Sequence, residues 1–304
     1  MHLLEQLHFR PDFFVVAVCE TDPVLREAAL RLCESVVECP DDLGRFDWET
    51  VVICGGTLPD FQPVLQAGRT VAVSFPTDLS AAEVNEIRRR AMQKDCRLTT
   101  FRWDQTDPEF SAAYSALSVE DFGTLRTLRR SISSAGLVLP ESSSPVDPFE
   151  EFAFSDFAQA WDLLQTSTWQ PDAVTVQAIP LPGMNGEPRG GYFLLLREPD
   201  GVVVEIRRSV CSVISEDTGW QIAGTHRGFR NHSQIVRTSE DEIYELPPTE
   251  VTPIDPLDSL RTSSTVEVMS STLDMLRCFG VLQSSWENAG SLRNFEPIDH
   301  HKPI

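Results

Sequence analysis

Three largely apolar runs, at residues 13–18, 50–54 and 70–73, and a fourth strand-forming run at 97–101 (Arg-Leu-Thr-Thr-Phe) punctuate the first hundred positions, with helix-forming stretches or glycine turns between them. Strands separated by helices at this spacing cannot be joined by hairpins, so they predict a parallel sheet wound with helices. The signals between the runs agree. Asp22-Pro23 supplies an N-cap and a first-turn proline for a helix to about Leu32. A short helical stretch is expected at 60–66, closed by Gly68, and Ser80-Ala81-Ala82-Glu83 reads as a capping box for a helix to about Lys94. Run 13–18 is apolar throughout, which predicts a strand buried on both faces.

That first run ends in Cys19-Glu20-Thr21-Asp22-Pro23. A strand that ends in an acid and opens a helix is how a dinucleotide fold sets a carboxylate on a ribose hydroxyl. Such a strand follows another strand and a Gly-x-Gly-x-x-Gly turn, yet none of the twelve residues before Phe13 is glycine. The sequence therefore reads as a Rossmann-like sheet without its first strand and phosphate-gripping turn, which leaves neighbouring strand edges open. Glu20 has two readings, a ribose ligand or a partner for the following helix dipole. Gly55-Gly56 either permits close backbone approach to a ligand or makes a turn.

From about residue 105 the pattern changes. Helices are expected at 107–117 and 150–166 and strands at 124–133, 173–179, 192–197, 202–208, 220–224, 233–238 and 242–246, with a closing helix at 257–279. Pro199-Asp200-Gly201 marks a hairpin, and the proline- and serine-rich stretch 140–145 a loop. This predicts an α+β domain with a mixed or antiparallel sheet at 105–304, after a truncated Rossmann-like domain at 1–104.

Charge narrows the partners. The net charge is −21, about −6 before residue 105 and −15 after it, which disfavours nucleic acid. No apolar run reaches the roughly 18 residues of a membrane span, and no signal peptide is expected from the N-terminus. Seven cysteines without a C-x-x-C pair read as small buried hydrophobes of a reducing, cytoplasmic compartment. His226 and His232 are not spaced as metal ligands, and His300-His301 falls in a tail, so no metal is expected. Only Lys94 and Lys302 are available to a lysine-dependent mechanism.

In such sheets, ligands bind at the carboxyl ends of the strands. Those ends carry Glu20, then Gly55-Gly56-Thr57, then Ser74-Phe75-Pro76, then Arg102-Trp103. In this order the segments resemble the glucose–fructose oxidoreductase and inositol dehydrogenase (Gfo/Idh/MocA) family. Val16–Pro23 is similar to its acid-ended second strand, Val51–Gly56 to its apolar strand and Thr-Pro loop, and Ala67–Pro76 to its Ala-Gly-Lys-x-Val…Glu-Lys-Pro segment. Arg102-Trp103-Asp104 with Asp107-Pro108-Glu109-Phe110 is similar to its Arg…Pro-x-Phe stretch, and Gly219–Thr225 to a strand of its second sheet.

The resemblance implies NAD or NADP bound by Glu20, Gly55, Gly56, Ser74, Phe75 and Pro76. It also implies a sugar-like small molecule near Arg102, Trp103, Gln159 and Asp162, and a homo-oligomer formed through the second sheet. The departures fall on the chemistry. Phe75 stands where the family has its catalytic lysine. The stretch Ser155–Asp162 places Gln159, or with a one-residue shift Ala160, where the family has its histidine. None of these is a general acid or base near neutral pH. Arg102 is read either as an anion-binding group or as a partner of Asp104 or Asp107. The expected function is an oxidoreductase-like protein with impaired catalysis. The alternatives are an active NAD(P)-dependent sugar or polyol dehydrogenase whose glycine-rich turn lies upstream of Met1, and a non-catalytic ligand-binding or oligomeric subunit.

Overall fold

A computed structural model describes residues 2–55, 58–75, 79–118, 120–135, 148–165, 173–180, 189–197, 201–212, 216–230, 233–238, 242–247, 254–260, 266–288 and 293–294. The chain forms two compact units. One comprises Met1–Arg102 with Leu257–Leu273, the other Trp103–Pro256 with Asp274–Ile304.

The first unit runs α1 (His2–His8), β1 (Val18–Cys19), α2 (Pro23–Ala29), β2 (Val36–Val37), β3 (Thr50–Ile53), β4 (Thr70–Phe75), α3 (Ala81–Gln93) and β5 (Arg97–Arg102). All its strand pairs are parallel. The helix starts follow the sequence. Asp22 caps α2 by accepting the N–H groups of Val24 and Leu25 at 2.8 and 3.1 Å. Ser80 and Glu83 form both halves of the capping box of α3. Farther along that helix, hydrogen bonds from Arg89 and Arg90 hold the Glu86 carboxyl down to about 2.

The strands fall into two sets, β1-β2 and β3-β4-β5. A doubly wound dinucleotide sheet has the order 3-2-1-4-5-6. With β1 and β2 as its second and third strands and β3 to β5 as its fourth to sixth, strand 1 of that order is the one that would join the two sets. Among the described residues no strand joins them. The consequence is local. Of the expected strand 13–18 only Val18 enters a ladder, followed by Cys19, and none of its residues is fully buried. Phe14 is 88% exposed. A two-stranded ribbon with no strand on its other edge cannot cover both faces, so the expected burial fails there. By contrast β4, flanked on both sides, is buried at five of its six positions.

Other expectations shift for identifiable reasons. The stretch at 60–66 is a 3-10 turn at Leu58–Phe61, and α2 stops at Ala29. Cys33, Cys96 and Cys278 are buried, but Cys39 and Cys54 are exposed, contrary to a uniform core role. Gly56, Thr57, Pro76, His232, Cys211's side chain, the loop 140–145, His300-His301 and Lys302 lie outside the described residues.

The second unit contains α4 (Pro108–Leu117), β6 (Leu125–Ala135), α5 (Pro148–Gln165), β7 (Ala173–Pro180), β8 (Arg189–Arg197), β9 (Val203–Ser212), β10 (Glu216–Gly224), β11 (Arg227–Arg230), β12 (Ser233–Arg237), β13 (Ile243–Glu245) and β14 (Arg293–Asn294). The closing helix α6, Val266–Glu287, begins later than expected, after a separate 3-10 turn at Pro256–Leu260. It also continues through Gly280, where the sequence suggested an end. A helical glycine costs only about 1 kcal/mol relative to alanine, and the last turns are anchored where Trp286 stacks on Phe149 at 4.6 Å.

Nine strands form one sheet in the order β13-β12-β11-β10-β6-β9-β8-β7-β14. It is mixed, because β6 and β9 pair in parallel while the other neighbours are antiparallel. Register sorts its residues into two faces. One carries Ile222, Leu128, Val204, Leu196 and Val174 in one row and Trp220, Arg130, Ile206, Leu194 and Val176 in the next. These are buried, and α5 lies against β8 and β9. The other face carries Arg129, Ser131, Phe193, Leu195, Val203, Glu205, Arg207 and Gln221, which are half-buried or exposed.

Candidate functional site

Two charged residues break the apolar pattern of the helix-covered face, Arg130 on β6 and Arg208 on β9. Strand alternation points both inward, and register makes them diagonal neighbours, Arg130 opposite Ile206 and Arg208 opposite Ile132. The opposing charge comes from α5. Its inward stripe, Phe149, Ala153, Asp156, Ala160 and Leu163, has helical spacing and one acid. Asp156 is 1% exposed. It accepts a fork from Arg208, Nε to Oδ2 and Nη2 to Oδ1, both at 2.7 Å. It also accepts from the Tyr192 hydroxyl on β8 and, at 3.4 Å, from Arg130.

Arg130 completes its set one turn farther along α5 and at the start of α4. Its Nη1 donates to Gln159 Oε1 and its Nη2 to Asp107 Oδ2, the latter at 2.7 Å. Asp107 also caps α4 by accepting the N–H of Glu109 at 2.9 Å. Arg130 lies over the Trp220 ring, 5.0 Å from its centroid. Gln159 Nε2 donates to the Asp104 carbonyl and, at 3.5 Å, to Asp107 Oδ2. Two arginines and two aspartates thus form a buried network with balanced charge, which is the condition under which buried ions are tolerated.

The network sets the state of Tyr192. Burial pushes its phenol well above the ordinary value, the Asp156 charge adds to this, and Arg208 opposes it. A raised folded-state value means the stabilisation is complete below the unfolded value of about 10 and is lost as pH climbs above it. Alkaline titration followed at 295 nm is expected to show the Tyr192 phenolate only as the chain unfolds. Tyr192→Phe is expected to remove that unfolding-linked component.

The residues matched by resemblance are placed as follows. In the first unit, Glu20 Oε1 accepts the N–H of Asp22 at 2.9 Å, a local turn before α2. Gly55 is exposed and a Cβ there would meet nothing, so crowding within the protein does not require glycine. Ser74 hydrogen-bonds the Cys54 thiol, which joins the ends of β3 and β4. Phe75 is 1% exposed, a core residue at the end of β4, and Arg102 is buried at the end of β5. In the second unit the turn Trp103–Thr106 is tied to α5 twice, by Gln159 to Asp104 and by Gln105 to Asp162 at 2.9 Å. Ala160 is wholly buried. His226 lies 3.8 Å from Asp121, and no group of residues able to hold a metal occurs among the described residues. No helix among them is long and apolar enough to cross a membrane.

Sequence reasoning missed Arg130, Tyr192 and Arg208 and did not single out Asp156. The available signal was parity: an acid in the apolar stripe of α5, and arginines at inward positions of two core strands.

This architecture, a Rossmann-like parallel sheet followed by a large mixed sheet, is the fold of Gfo/Idh/MocA-type oxidoreductases. The chain is similar to an oxidoreductase from Bacillus cereus, at 12% identity and TM-score 0.75, with 98% of this chain and 95% of that one covered. It is also similar to an NAD-binding protein from Listeria innocua, at 13% identity and TM-score 0.72, covering 97% and 95%. A levoglucosan dehydrogenase aligns at 13% identity and TM-score 0.66, covering 98% and 94%. No protein-family model and no curated protein sequence matches the chain.

Proposed function

We propose that this chain keeps the oxidoreductase fold without its hydride-transfer chemistry. The observation that carries this reading is Gln159. It is 4% exposed, its amide nitrogen is given to Asp104 and Asp107, and its amide oxygen is taken by Arg130. A glutamine so held neither exchanges a proton nor turns to a substrate. Phe75, in the other matched position, is a core side chain with no proton to give.

The residues present do not fit the pyrophosphate of NAD or NADP. The grip in such folds comes from N–H groups in the glycine-rich turn after the central strand, and among the described residues no strand pairs with both β1 and β3 and no such turn occurs. Glu20, the matched ribose ligand, already holds the Asp22 N–H. No reaction step is therefore routed through a nicotinamide.

The test is an absorbance assay at 340 nm with NAD or NADP and a panel of polyols and aldoses. The expected result is no turnover within a thousandfold of an ordinary enzyme rate of about 10 per second, and no saturable quenching of tryptophan fluorescence by either dinucleotide at millimolar concentration. Turnover at an ordinary rate with any polyol overturns the reading.

A further inference from the structure

The open face of the nine-stranded sheet holds a cavity of about 320 Å³ lined by Arg129, Arg130, Ser131, Phe193, Glu205, Arg207 and Gln221. Its volume is at the lower end of the range for small-molecule sites. All the lining belongs to four adjacent strands of one unit, and register explains the hollow. Ser131 has Arg207 opposite it on β9 and Gly219 opposite it on β10, so its row offers little bulk beside the Arg207 side chain. The adjoining row, Gln221, Arg129 and Glu205, forms a taller wall, and Phe193, the β8 partner of Arg207, bounds the far side.

The charge here is opposite to that of the protein. The whole chain has 46 acids against 25 lysines and arginines, whereas the cavity lining has three arginines and one acid. Arg130 directs its guanidinium to the helix-covered face, where Asp107, Asp156 and Gln159 hold it. Arg129 pairs with Glu205 at 2.8 Å. Arg207 is exposed, and no acid among the described residues pairs with it. The cavity therefore carries one uncompensated guanidinium, flanked by a hydroxyl, a carboxamide and an aromatic ring.

We propose that this cavity binds a small organic oxyanion, a carboxylate or phosphate ester of low molecular mass. Its anionic group sits on Arg207 in the two-pronged geometry a guanidinium offers. Its polar substituents meet Ser131 and Gln221, and its carbon skeleton lies on Phe193. The site needs no dinucleotide, and it shares with the buried network only Arg130, whose guanidinium is held on the other face of the sheet.

Calorimetric titration of the full chain at low ionic strength, with inorganic phosphate in one arm and succinate in the other, tests this and separates the two sources of negative charge. At least one is expected to bind at low millimolar concentration or tighter, with affinity falling as salt is raised. Arg207→Gln is expected to weaken it tenfold or more, while Arg45→Gln, at an exposed arginine in the other unit, leaves it unchanged. Circular dichroism melting checks that the variants remain folded. The proposal is overturned if neither anion binds or if Arg207→Gln binds as the parent does. It is also overturned if sedimentation shows a dimer that Arg207→Gln dissociates and neither anion perturbs, because a second copy then fills the cavity. Polyol turnover in the assay above would leave this proposal standing, since Arg207, Ser131, Gln221 and Phe193, the residues that meet the anion, play no part in that reading.

Discussion

Asp156→Ala is expected to be among the most destabilising single substitutions in the second unit, by about 3–5 kcal/mol in denaturant unfolding, the range for removing one partner of a buried ion pair. The cost is not that of one hydrogen bond. Asp156 is the common acceptor for Arg208, Arg130 and Tyr192, so its loss leaves one buried guanidinium without its acid and a phenol without its acceptor. Arg130 retains Asp107 and Gln159; Arg208 keeps the Tyr192 hydroxyl and the Phe152 ring, 4.5 Å from its centroid, but no acid in this network. The paired replacement Asp156→Leu with Arg208→Met removes both charges and fills the space. Buried pairs exchanged for apolar residues of similar size are often close to neutral, so the double variant is expected to be more stable than Asp156→Ala alone. A double variant as unstable as the sum of its single changes would show that Asp156 and Arg208 are not coupled.

The same network shows how far the sequence could be read. The parallel strands were visible because a strand flanked on both sides is largely apolar, as β4 is at Val71, Ala72, Val73 and Phe75. The second-unit strands were visible from turn signals between apolar runs. β2, only Val36–Val37, is too short to register as a run, and β11, Arg227–Arg230, is too polar. Run 13–18 misled for a physical reason. Its composition fits the centre of a complete sheet, while burial depends on a neighbour that the described residues do not provide. Asp156 was detectable as an acid in an apolar helical stripe. Its partners were not, because they lie 26, 36 and 52 residues away, and what brings them to one point is the register of β6, β8 and β9. Gln159 was placed on a helix by the sequence, but its partners were not legible there, since sequence shows what a side chain can donate and not whether the donation is already made.

That dependence on register leads to a graded expectation at three glycines. Gly191 on β8 has φ +151°, and a Cβ there would sit 2.0 Å from the Arg208 carbonyl oxygen and 2.9 Å from its carbonyl carbon. The obstacle is backbone of the paired strand, which cannot rotate away. Gly191→Ala must therefore push β8 from β9 at the point where Tyr192 and Arg208 reach Asp156. Backbone strain of about 1–3 kcal/mol adds to overpacking of about 1–3 kcal/mol, and the expected loss is about 2–5 kcal/mol. Gly201 has φ +92° but open space around it, so Gly201→Ala meets only the conformational term, about 1 kcal/mol. Gly55 has neither a positive φ nor a neighbour, so Gly55→Ala is expected within about 0.5 kcal/mol of the parent, as for surface changes generally. Denaturant midpoints for the three variants should therefore fall in the order Gly191→Ala, Gly201→Ala, Gly55→Ala from least to most stable. The first should also lose the alkaline protection of Tyr192, because the displaced strand carries that phenol. If Gly191→Ala were as stable as Gly55→Ala, β8 would not be held at this distance from β9, and the register that assembles the buried charges would be wrong at its most crowded point.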